Sequence, residues 1–311
     1  MNQYRRRFKK VIFIILFVVL VFSIITIIRY NLDIRKAYDR LNSYQTDTID
    51  TEFGKMSYID SGIGEVVLIS HGIFGGYDQA IVSLNNILGK RYRKIAPSRF
   101  GYPGSDLPST PNPENQAKAF VDLLDKLDLE KVFVITTSAG GAPGIKMAIE
   151  YPERVKGLVL LSSGMPTAQK SREEISGMTG PPAPLVNDFP MWFILKHFSF
   201  AMDIMMASDF PDSFYETMLP VKPRKLGIRN DESLTNLDMT INYDDYSVEE
   251  INLPILLVHA KDDPLVKYDE VVKFITKVQP QTAIFETGGH LTTGHEDEVS
   301  TIIIDFIERN R

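Results

Sequence analysis

The segment KVFVITTSAGGAPGIKMAIE, residues 131–150, joins a predicted strand to a predicted helix through a corner of small residues. Val132–Thr137 is rich in β-branched and aromatic residues and predicts a short buried strand. Small residues follow at 139–141, and a helix-compatible segment begins at Ala142. A strand, a tight turn and a helix with Ser138 at the corner is the arrangement that lifts a nucleophilic serine above the end of a sheet.

Ser138 also has a simpler interpretation, as a residue that caps the following helix. Nucleophile turns usually have the pattern Gly-x-Ser-x-Gly, and Thr136 stands where the first glycine would be. A β-branched residue suits the end of a strand but crowds a tight turn. These twenty residues leave both interpretations open, and the rest of the chain is needed to decide between them.

The composition excludes several classes of function. The chain has 311 residues, of which 44% are hydrophobic, enough for one large domain or for one domain with an insertion. Its net charge of −6 gives no basic surface for nucleic acid. The lack of cysteine removes disulfides, thiolate metal sites and cysteine nucleophiles. We expect neither a metal nor a cofactor.

The first thirty residues differ from all that follow. Positive charges at residues 5–10 precede Val11–Ile28, a run in which only Ser23 and Thr26 are polar. As a helix this run would be about 27 Å long, close to the hydrocarbon thickness of a bilayer. We expect residues 1–30 to be a basic segment and a single transmembrane anchor in the cell membrane. The charge asymmetry predicts a cytoplasmic N-terminus and an extracytoplasmic location for the rest of the chain.

A cleaved signal peptide is the competing interpretation of this segment. Signal peptides usually have an apolar region of about 7–15 residues followed by a small-residue cleavage site. The run here is longer and ends in Ile27-Ile28-Arg29-Tyr30, which favours an uncleaved anchor. The polar and mixed residues 31–50 predict a stalk.

Short apolar strands and amphipathic helices alternate through residues 65–163 and again after residue 250. This alternation predicts an α/β fold with βαβ units and a mainly parallel sheet flanked by helices, built from residues 51–164 and 251–311. The predicted strands are Thr51–Ile59, Glu65–Ser70, Arg93–Pro97, Val132–Thr137, Val155–Leu161, Ile255–Ala260 and Thr282–Thr287.

Residues 165–250 interrupt the alternation and predict a helical cap. They hold eight of the eleven methionines, the only tryptophan and the run Pro181-Pro182-Ala183-Pro184. Two interpretations of the methionines stay open. They fill the core of the insertion, or they line a lid over an apolar substrate, because thioethers adapt to irregular shapes.

Polar residues follow three separate predicted strands, in the order Ser138, Asp262 or Asp263, and His290. Because ligands of open α/β sheets bind outside the carboxyl ends of the strands, we expect these side chains to meet at one edge. A serine hydroxyl needs an imidazole to take its proton, and the imidazole needs a carboxylate to fix its tautomer. The order and placement predict a Ser-His-Asp catalytic triad.

A glycine-rich segment, His71–Gly76, directly follows the predicted strand Glu65–Ser70. Its main-chain N–H groups could hold an anion that forms during a reaction. The other interpretation is a tight turn into the helix predicted at Gln79–Leu88.

Over about residues 50–311 the chain resembles the α/β-hydrolase-fold serine hydrolases, the esterase-like and lipase-like members with a cap domain. The resemblance implies that Asp263 is the triad acid, three residues after the small residue Ala260. It also implies that the backbone N–H groups of Ile73 and Ala139 form an oxyanion hole, and that His71 and His295 are structural. The matching motifs are His71-Gly72-Ile73, Arg99-Phe100-Gly101-Tyr102-Pro103-Gly104-Ser105, Ser138-Ala139-Gly140-Gly141, Asp262-Asp263-Pro264-Leu265-Val266 and Gly288-Gly289-His290.

These features together predict a membrane-anchored hydrolase of an apolar carboxylic ester, which acts through an acyl-enzyme on Ser138. One alternative is the same triad working on a carbon–carbon or amide bond, or in acyl transfer, because a fold does not determine a substrate. An alternative of another class is a non-catalytic binding protein on the same scaffold. We expect a small-molecule substrate, contact with the membrane through residues 11–28, and no nucleic acid.

Overall fold

The computed structural model describes residues 2–175, 179–208 and 212–311. Met178, one of the methionines of the predicted cap, lies outside the described residues. The described strands are β1 (Asp47–Thr51), β2 (Gly54–Ser61), β3 (Glu65–Ser70), β4 (Tyr92–Pro97), β5 (Val132–Ser138), β6 (Val155–Ser163), β7 (Ile255–Ala260) and β8 (Gln281–Phe285).

These strands form one sheet in the order β1-β2-β4-β3-β5-β6-β7-β8. Strand β2 pairs antiparallel with both β1 and β4. The pairings from β4 through β8 are all parallel. The mainly parallel α/β sheet that the alternation predicts is therefore confirmed, and its parallel strands end along one edge.

Helices cover both faces of the sheet and fill the segment between β6 and β7. They are α1 (Asn2–Ser43), α2 (Tyr77–Leu88), α3 (Pro113–Lys126), α4 (Gly141–Glu150), α5 (Asp188–His197), α6 (Ser199–Met206), α7 (Asp212–Met218), α8 (Lys225–Asn230), α9 (Asn236–Ile241), α10 (Tyr268–Val278) and α11 (Glu296–Arg309).

Strand β5 shows why the central strands are continuous apolar runs. Its side chains alternate between the two faces, and both faces are buried beneath helices. Val132 and Val134 pack in the core beneath α3, α4 and α10. Phe133 and Ile135 pack in the core beneath α2 and α11.

Helix α1 differs from the sequence prediction because it continues without a break to Ser43. Residues 31–43, predicted to be part of a stalk, form its last turns, and β1 takes up most of the rest of that segment. The helix continues because residues 31–43 have apolar side chains at helical spacing on one face. Ile34 and Ala37 pack against the insertion, and Leu41 is buried beneath α2. The segment is therefore docked rather than a separate linker.

Helix α1 also carries the apolar run near its N-terminus. Within the described residues, it is the one helix long and apolar enough to cross a membrane, as judged by length and composition. Only 6% of its most apolar part is buried.

Helices α5–α9 lie in the segment predicted to be the cap. Buried apolar side chains of this insertion pack with Phe74 and Tyr102 in a cluster separate from the two cores of the sheet, here called the cap cluster. Four methionines of the insertion belong to it, so the core-filling interpretation holds for those four. The members of the cap cluster are Phe74, Tyr102, Val186, Met191, Trp192, Met202, Met206, Met218, Leu219, Val221 and Ile228.

Candidate active site

Ser138 ends β5 in a left-handed backbone conformation, with φ of +50°. Few non-glycine residues adopt this conformation, and it produces a sharp turn before α4. The turn has no room for larger neighbours. A Cβ added at Gly140 would lie 2.0 Å from the carbonyl oxygen of Ser70, and one at Gly141 would lie 2.0 Å from that of Gly164. The small residues are therefore required by packing.

Thr136, which departs from the usual glycine pattern, is fully buried beside this turn. Its hydroxyl lies 2.8 Å from the hydroxyl of Ser163, so the polar atom is satisfied. Its methyl group faces Gly144 on α4, where an added Cβ would lie 2.1 Å from Thr136 Cγ2. A glycine on the helix thus makes room for the threonine on the strand.

Asp263 and His290 are brought together after the ends of β7 and β8. The Nδ1 atom of His290 lies 2.8 Å from Asp263 Oδ2, and both residues are buried. The other carboxylate oxygen of Asp263 accepts hydrogen bonds from the backbone N–H groups of Leu265 and Val266, at 2.8 and 3.0 Å. An ionised Asp263 fixes the proton of His290 on Nδ1 and leaves Nε2 as the acceptor.

The pKa of Asp263 is lowered below its ordinary value. Burial alone would raise this pKa, but the hydrogen bond from His290 and its charge, then the N–H groups of Val266 and Leu265, outweigh burial. The carboxylate is therefore ionised at neutral pH and can stabilise a positive charge on the imidazole.

Asp262, the other candidate for the acid, has a different set of contacts. Its carboxylate accepts hydrogen bonds from the backbone N–H groups of Gly288 and Gly289, at 3.2 and 2.8 Å. It therefore holds the backbone of the loop that carries His290. Asp263 therefore contacts the imidazole, whereas Asp262 contacts the loop backbone. The sequence does not predict this difference.

The glycine-rich loop after β3 lies directly against the Ser138 turn. A Cβ added at Gly72 would lie 3.0 Å from Ser138 Cβ and 3.3 Å from the carbonyl oxygen of Thr137. Within the described part of the chain, the backbone N–H groups of Ile73 and Ala139 donate no hydrogen bond. The hydroxyl of Ser138 likewise has no hydrogen-bond partner among the described residues, His290 included.

His71 supports this loop from within. Its Nε2 accepts a hydrogen bond from the backbone N–H of Arg99 at 3.0 Å, so Nδ1 carries the proton and donates to the carbonyl oxygen of Gly72 at 2.8 Å. Burial, followed by the positive charge of Arg99, holds the pKa of His71 well below its ordinary value. His295 lies apart from this loop, with its ring stacked on Phe285 at 4.1 Å.

Two buried ion pairs that the sequence does not predict join the insertion to the loop after β4 and to the start of α2. Arg99 binds Asp231 through two hydrogen bonds of 2.7 and 2.6 Å. Arg224 binds Asp78 in the same two-point manner and also donates to the carbonyl oxygen of Gly75 at 2.6 Å. Arg99 lies in a motif quoted above, but its partner is more than a hundred residues away, and no local pattern identifies it.

Comparisons with known proteins identify the fold family of the chain. The family model described as "alpha/beta hydrolase fold" matches residues 65–293. A 2-hydroxy-6-oxo-6-phenylhexa-2,4-dienoate hydrolase of Burkholderia cepacia is 25% identical over 271 residues, which cover 80% of this chain and 89% of that protein. The uncharacterized hydrolase YcgS of Bacillus subtilis is 35% identical over 120 residues, and this match spans 42% of its length.

Solved structures show the same fold. An esterase from Exiguobacterium antarcticum superposes with a TM-score of 0.65 at 19% identity, covering 85% of this chain and all of that one. A meta-cleavage product hydrolase from Pseudomonas fluorescens IP01 superposes with a TM-score of 0.63 at 18% identity, covering 85% and 98% of the two chains.

Proposed function

Because the chain belongs to the α/β hydrolase fold family and is a hydrolase, we propose that it is a membrane-anchored serine hydrolase of apolar carboxylic esters. The observation that carries this proposal is the buried 2.8 Å contact between His290 Nδ1 and Asp263 Oδ2. It leaves Nε2 of the imidazole as a base at the edge of the sheet where the strained Ser138 turn lies.

In the proposed mechanism, Ser138 attacks the ester carbonyl while Nε2 of His290 takes its proton. Asp263 stabilises the imidazolium that forms. His290 then gives the proton to the leaving alcohol, and an acyl group remains on Ser138. Water then attacks the acyl carbonyl while His290 takes its proton. The bond between the acyl group and Ser138 breaks, the serine oxygen receives that proton from His290, and the carboxylic acid leaves.

The backbone N–H groups of Ile73 and Ala139 are the proposed oxyanion donors. Support comes from their lack of hydrogen bonds within the described residues and from the close approach of Gly72 to Ser138. Such N–H groups, already free and held by a rigid turn, stabilise a developing negative charge without reorganisation. Because they are main-chain groups, their contribution does not depend on side-chain ionisation.

The apolar acyl group is proposed from the position of the cap cluster. Phe74 belongs to that cluster, and Ile73 and Leu291 pack against it. Apolar side chains of the cap thus adjoin both the proposed oxyanion loop and the residue after His290. A buried methylene contributes about 0.8 kcal/mol, so each acyl carbon held there should raise kcat/KM about fourfold until the pocket is full.

Steady-state kinetics on p-nitrophenyl esters tests this proposal. We expect acyl chains of about six to ten carbons to give a higher kcat/KM than acetate, with no turnover by a folded Ser138→Ala variant. If kcat/KM were highest for acetate and fell with every added carbon, the cap would not hold the acyl chain, and the apolar substrate would have to be abandoned.

A second candidate is the same triad acting on another bond. The specific observation that favours it is the 25% identity to the Burkholderia cepacia protein across 80% of this chain. The compound in that protein's name, 2-hydroxy-6-oxo-6-phenylhexa-2,4-dienoate, should therefore be assayed as a substrate alongside the esters. Turnover of this compound well above that of every ester would favour the second candidate. Absence of both activities and of fluorophosphonate labelling would favour a binding protein.

Membrane anchoring through residues 11–28 is proposed from the exposed apolar part of α1. Positive charges before the run and the catalytic domain after it favour a cytoplasmic N-terminus and an extracytoplasmic domain. A reporter fused after Arg311 should be active outside the cytoplasm, and alkaline carbonate should leave the protein in the membrane. Release of a form lacking residues 1–30 would indicate a signal peptide instead.

A further inference from the structure

The insertion contacts α1 immediately after the apolar run ends. The ring of Tyr30 lies 5.1 Å from that of Phe189 and 5.5 Å from that of Trp192, measured between centroids. The indole N–H of Trp192 donates to Asp33 Oδ2 at 3.0 Å. Tyrosine and tryptophan are enriched where a membrane meets water, so this contact lies at the expected depth of a lipid–water boundary.

Thr26 extends this contact into the run itself. Thr26 is 7% exposed, whereas its neighbours Ile25 and Ile27 are 46% and 53% exposed. It lies one helical turn before Tyr30 on the same face of α1. The folded protein therefore shields Thr26, which lies two residues, or about 3 Å along the helix, before the end of the apolar run at Ile28. A folded domain that reaches this depth enters the apolar layer with the helix.

The surface of the insertion near this contact is apolar and unusually exposed, and it is here called the outer cap face. Ile204 is 74% exposed and Phe200 is 58% exposed, one turn apart on α6. Ring contacts connect this face to α1 without a gap, with centroid distances between 5.1 and 6.2 Å. The row is Tyr30, Phe189, Phe193, Phe198 and Phe200. Large exposed apolar patches of this kind mark protein or membrane contacts.

A groove of about 470 Å³ opens on the same face, between α5 and α6. Its lining side chains are all apolar and include Leu185, Phe189, Phe193, Ala201, Met202 and Met205. The chain just after α6 packs against the loop that carries His290. A Cβ added at Gly289 in that loop would lie 2.0 Å from the carbonyl oxygen of Ala207, the residue after α6. The hydroxyl of Ser208 also donates to the carbonyl oxygen of Gly288 at 3.0 Å.

We propose that the outer cap face inserts into the leaflet that holds α1, and that the groove takes an acyl chain of a lipid directly from that leaflet. This inference rests on the membrane anchoring of the proposed function. It narrows the proposed substrates from apolar esters in general to esters whose acyl chain resides in the bilayer. The occupant is lipid because the exposed face is continuous with a helix whose own apolar side chains are exposed. Burial of both surfaces in one apolar layer stabilises a single orientation.

Site-specific quenching tests the inference directly, because the chain contains no cysteine. Single cysteines are placed at Ile204 and Ala201 on the outer cap face and carry an environment-sensitive fluorophore. Val18→Cys reports the apolar run. Ile63→Cys is the aqueous control, because this residue is 81% exposed in the turn at the opposite end of the parallel strands. The full chain is reconstituted in phosphatidylcholine vesicles, with bromine on the acyl chains or iodide in the buffer.

We expect the labels at 201 and 204 to be quenched by brominated lipid and to be several-fold less accessible to iodide than the label at 63. Unchanged thermal unfolding of each labelled variant controls for folding. Cap labels as open to iodide as position 63, with position 18 protected, would overturn the inference and leave the anchor intact. An exposed label at position 18 would overturn both. Cap labels protected from both quenchers, together with cross-linking between copies, would identify a second copy of the chain as the occupant.

Discussion

Thr136 and Gly144 are matched in shape across the interface of β5 and α4. The threonine methyl fills the space that the glycine leaves open, since a Cβ at Gly144 would lie 2.1 Å from Thr136 Cγ2. The threonine hydroxyl meanwhile contacts Ser163 at 2.8 Å. A residue that departs from the usual pattern of a nucleophile turn is therefore accommodated by a glycine eight positions later.

A double-mutant cycle tests this match. Gly144→Ala should lower the free energy of unfolding by about 1–3 kcal/mol, because the buried threonine cannot move aside. Thr136→Ser removes the methyl, keeps the hydroxyl and should cost about 1 kcal/mol. The double variant should cost less than the sum of the two, as measured by unfolding in detergent. Additive losses would show that the two residues are independent.

The sequence predicts the sheet well and the contacts between distant elements poorly. Strands Glu65–Ser70 and Ile255–Ala260 have the predicted bounds, because a strand buried on both faces must be an apolar run that stops at turn residues. The docking of residues 31–43 was not predicted, since three apolar residues on one helical face are hidden by an otherwise polar composition.

In the candidate site, too, the sequence predicts some contacts and not others. Strand ends and chain order place Asp263 and His290 on one edge, and the structure brings their side chains together. The pairing of Thr136 with Gly144 depends on how the turn orients α4 against β5, and no linear pattern encodes that orientation. The partners of Arg99 and Arg224 are single acidic residues far away in the sequence, so only the folded chain identifies them.

The two neighbouring aspartates should respond differently to the same substitution. Asp263→Asn should reduce kcat by orders of magnitude, because an amide bonded to Nδ1 of His290 no longer fixes the catalytic tautomer. Asp262→Asn should have a much smaller effect, since its amide oxygen can still accept from the backbone of Gly289. Kinetics of the two variants on the best ester checks this, and a larger loss for Asp262→Asn would reverse the assignment.

The ion pair of Arg99 and Asp231 should contribute strongly to the attachment of the cap. Asp231→Asn leaves a fully buried guanidinium without its counterion and should cost about 3–5 kcal/mol of unfolding free energy. The matched control is Glu286→Gln, which breaks the exposed pair with Lys261 and should cost between about 0 and 1 kcal/mol. Equal shifts in the thermal midpoints of the two variants would contradict a special role for the buried pair.

His71 should make the stability of the fold sensitive to acid. The unfolded chain protonates this residue below about pH 6.5, whereas the folded chain keeps it neutral because its pKa is lowered. Stability from this source is therefore complete above pH 6.5 and declines as the pH falls below it, by about 1.4 kcal/mol at pH 5.5. His71→Gln retains an acceptor for the backbone N–H of Arg99. In this variant, the free energy of unfolding should fall by about 1.4 kcal/mol less between pH 7.5 and pH 5.5 than it does in the wild type. An unchanged difference would exclude His71 as its source.

The central claim is that Ser138 is the nucleophile, and covalent labelling tests it most directly. The full chain in detergent is treated with a fluorophosphonate, digested and analysed by mass spectrometry. The proposed mechanism predicts one adduct on the peptide containing Ser138, much slower labelling in His290→Ala, and none in a folded Ser138→Ala protein. An adduct on another serine, or normal ester turnover by folded Ser138→Ala, would contradict the mechanism.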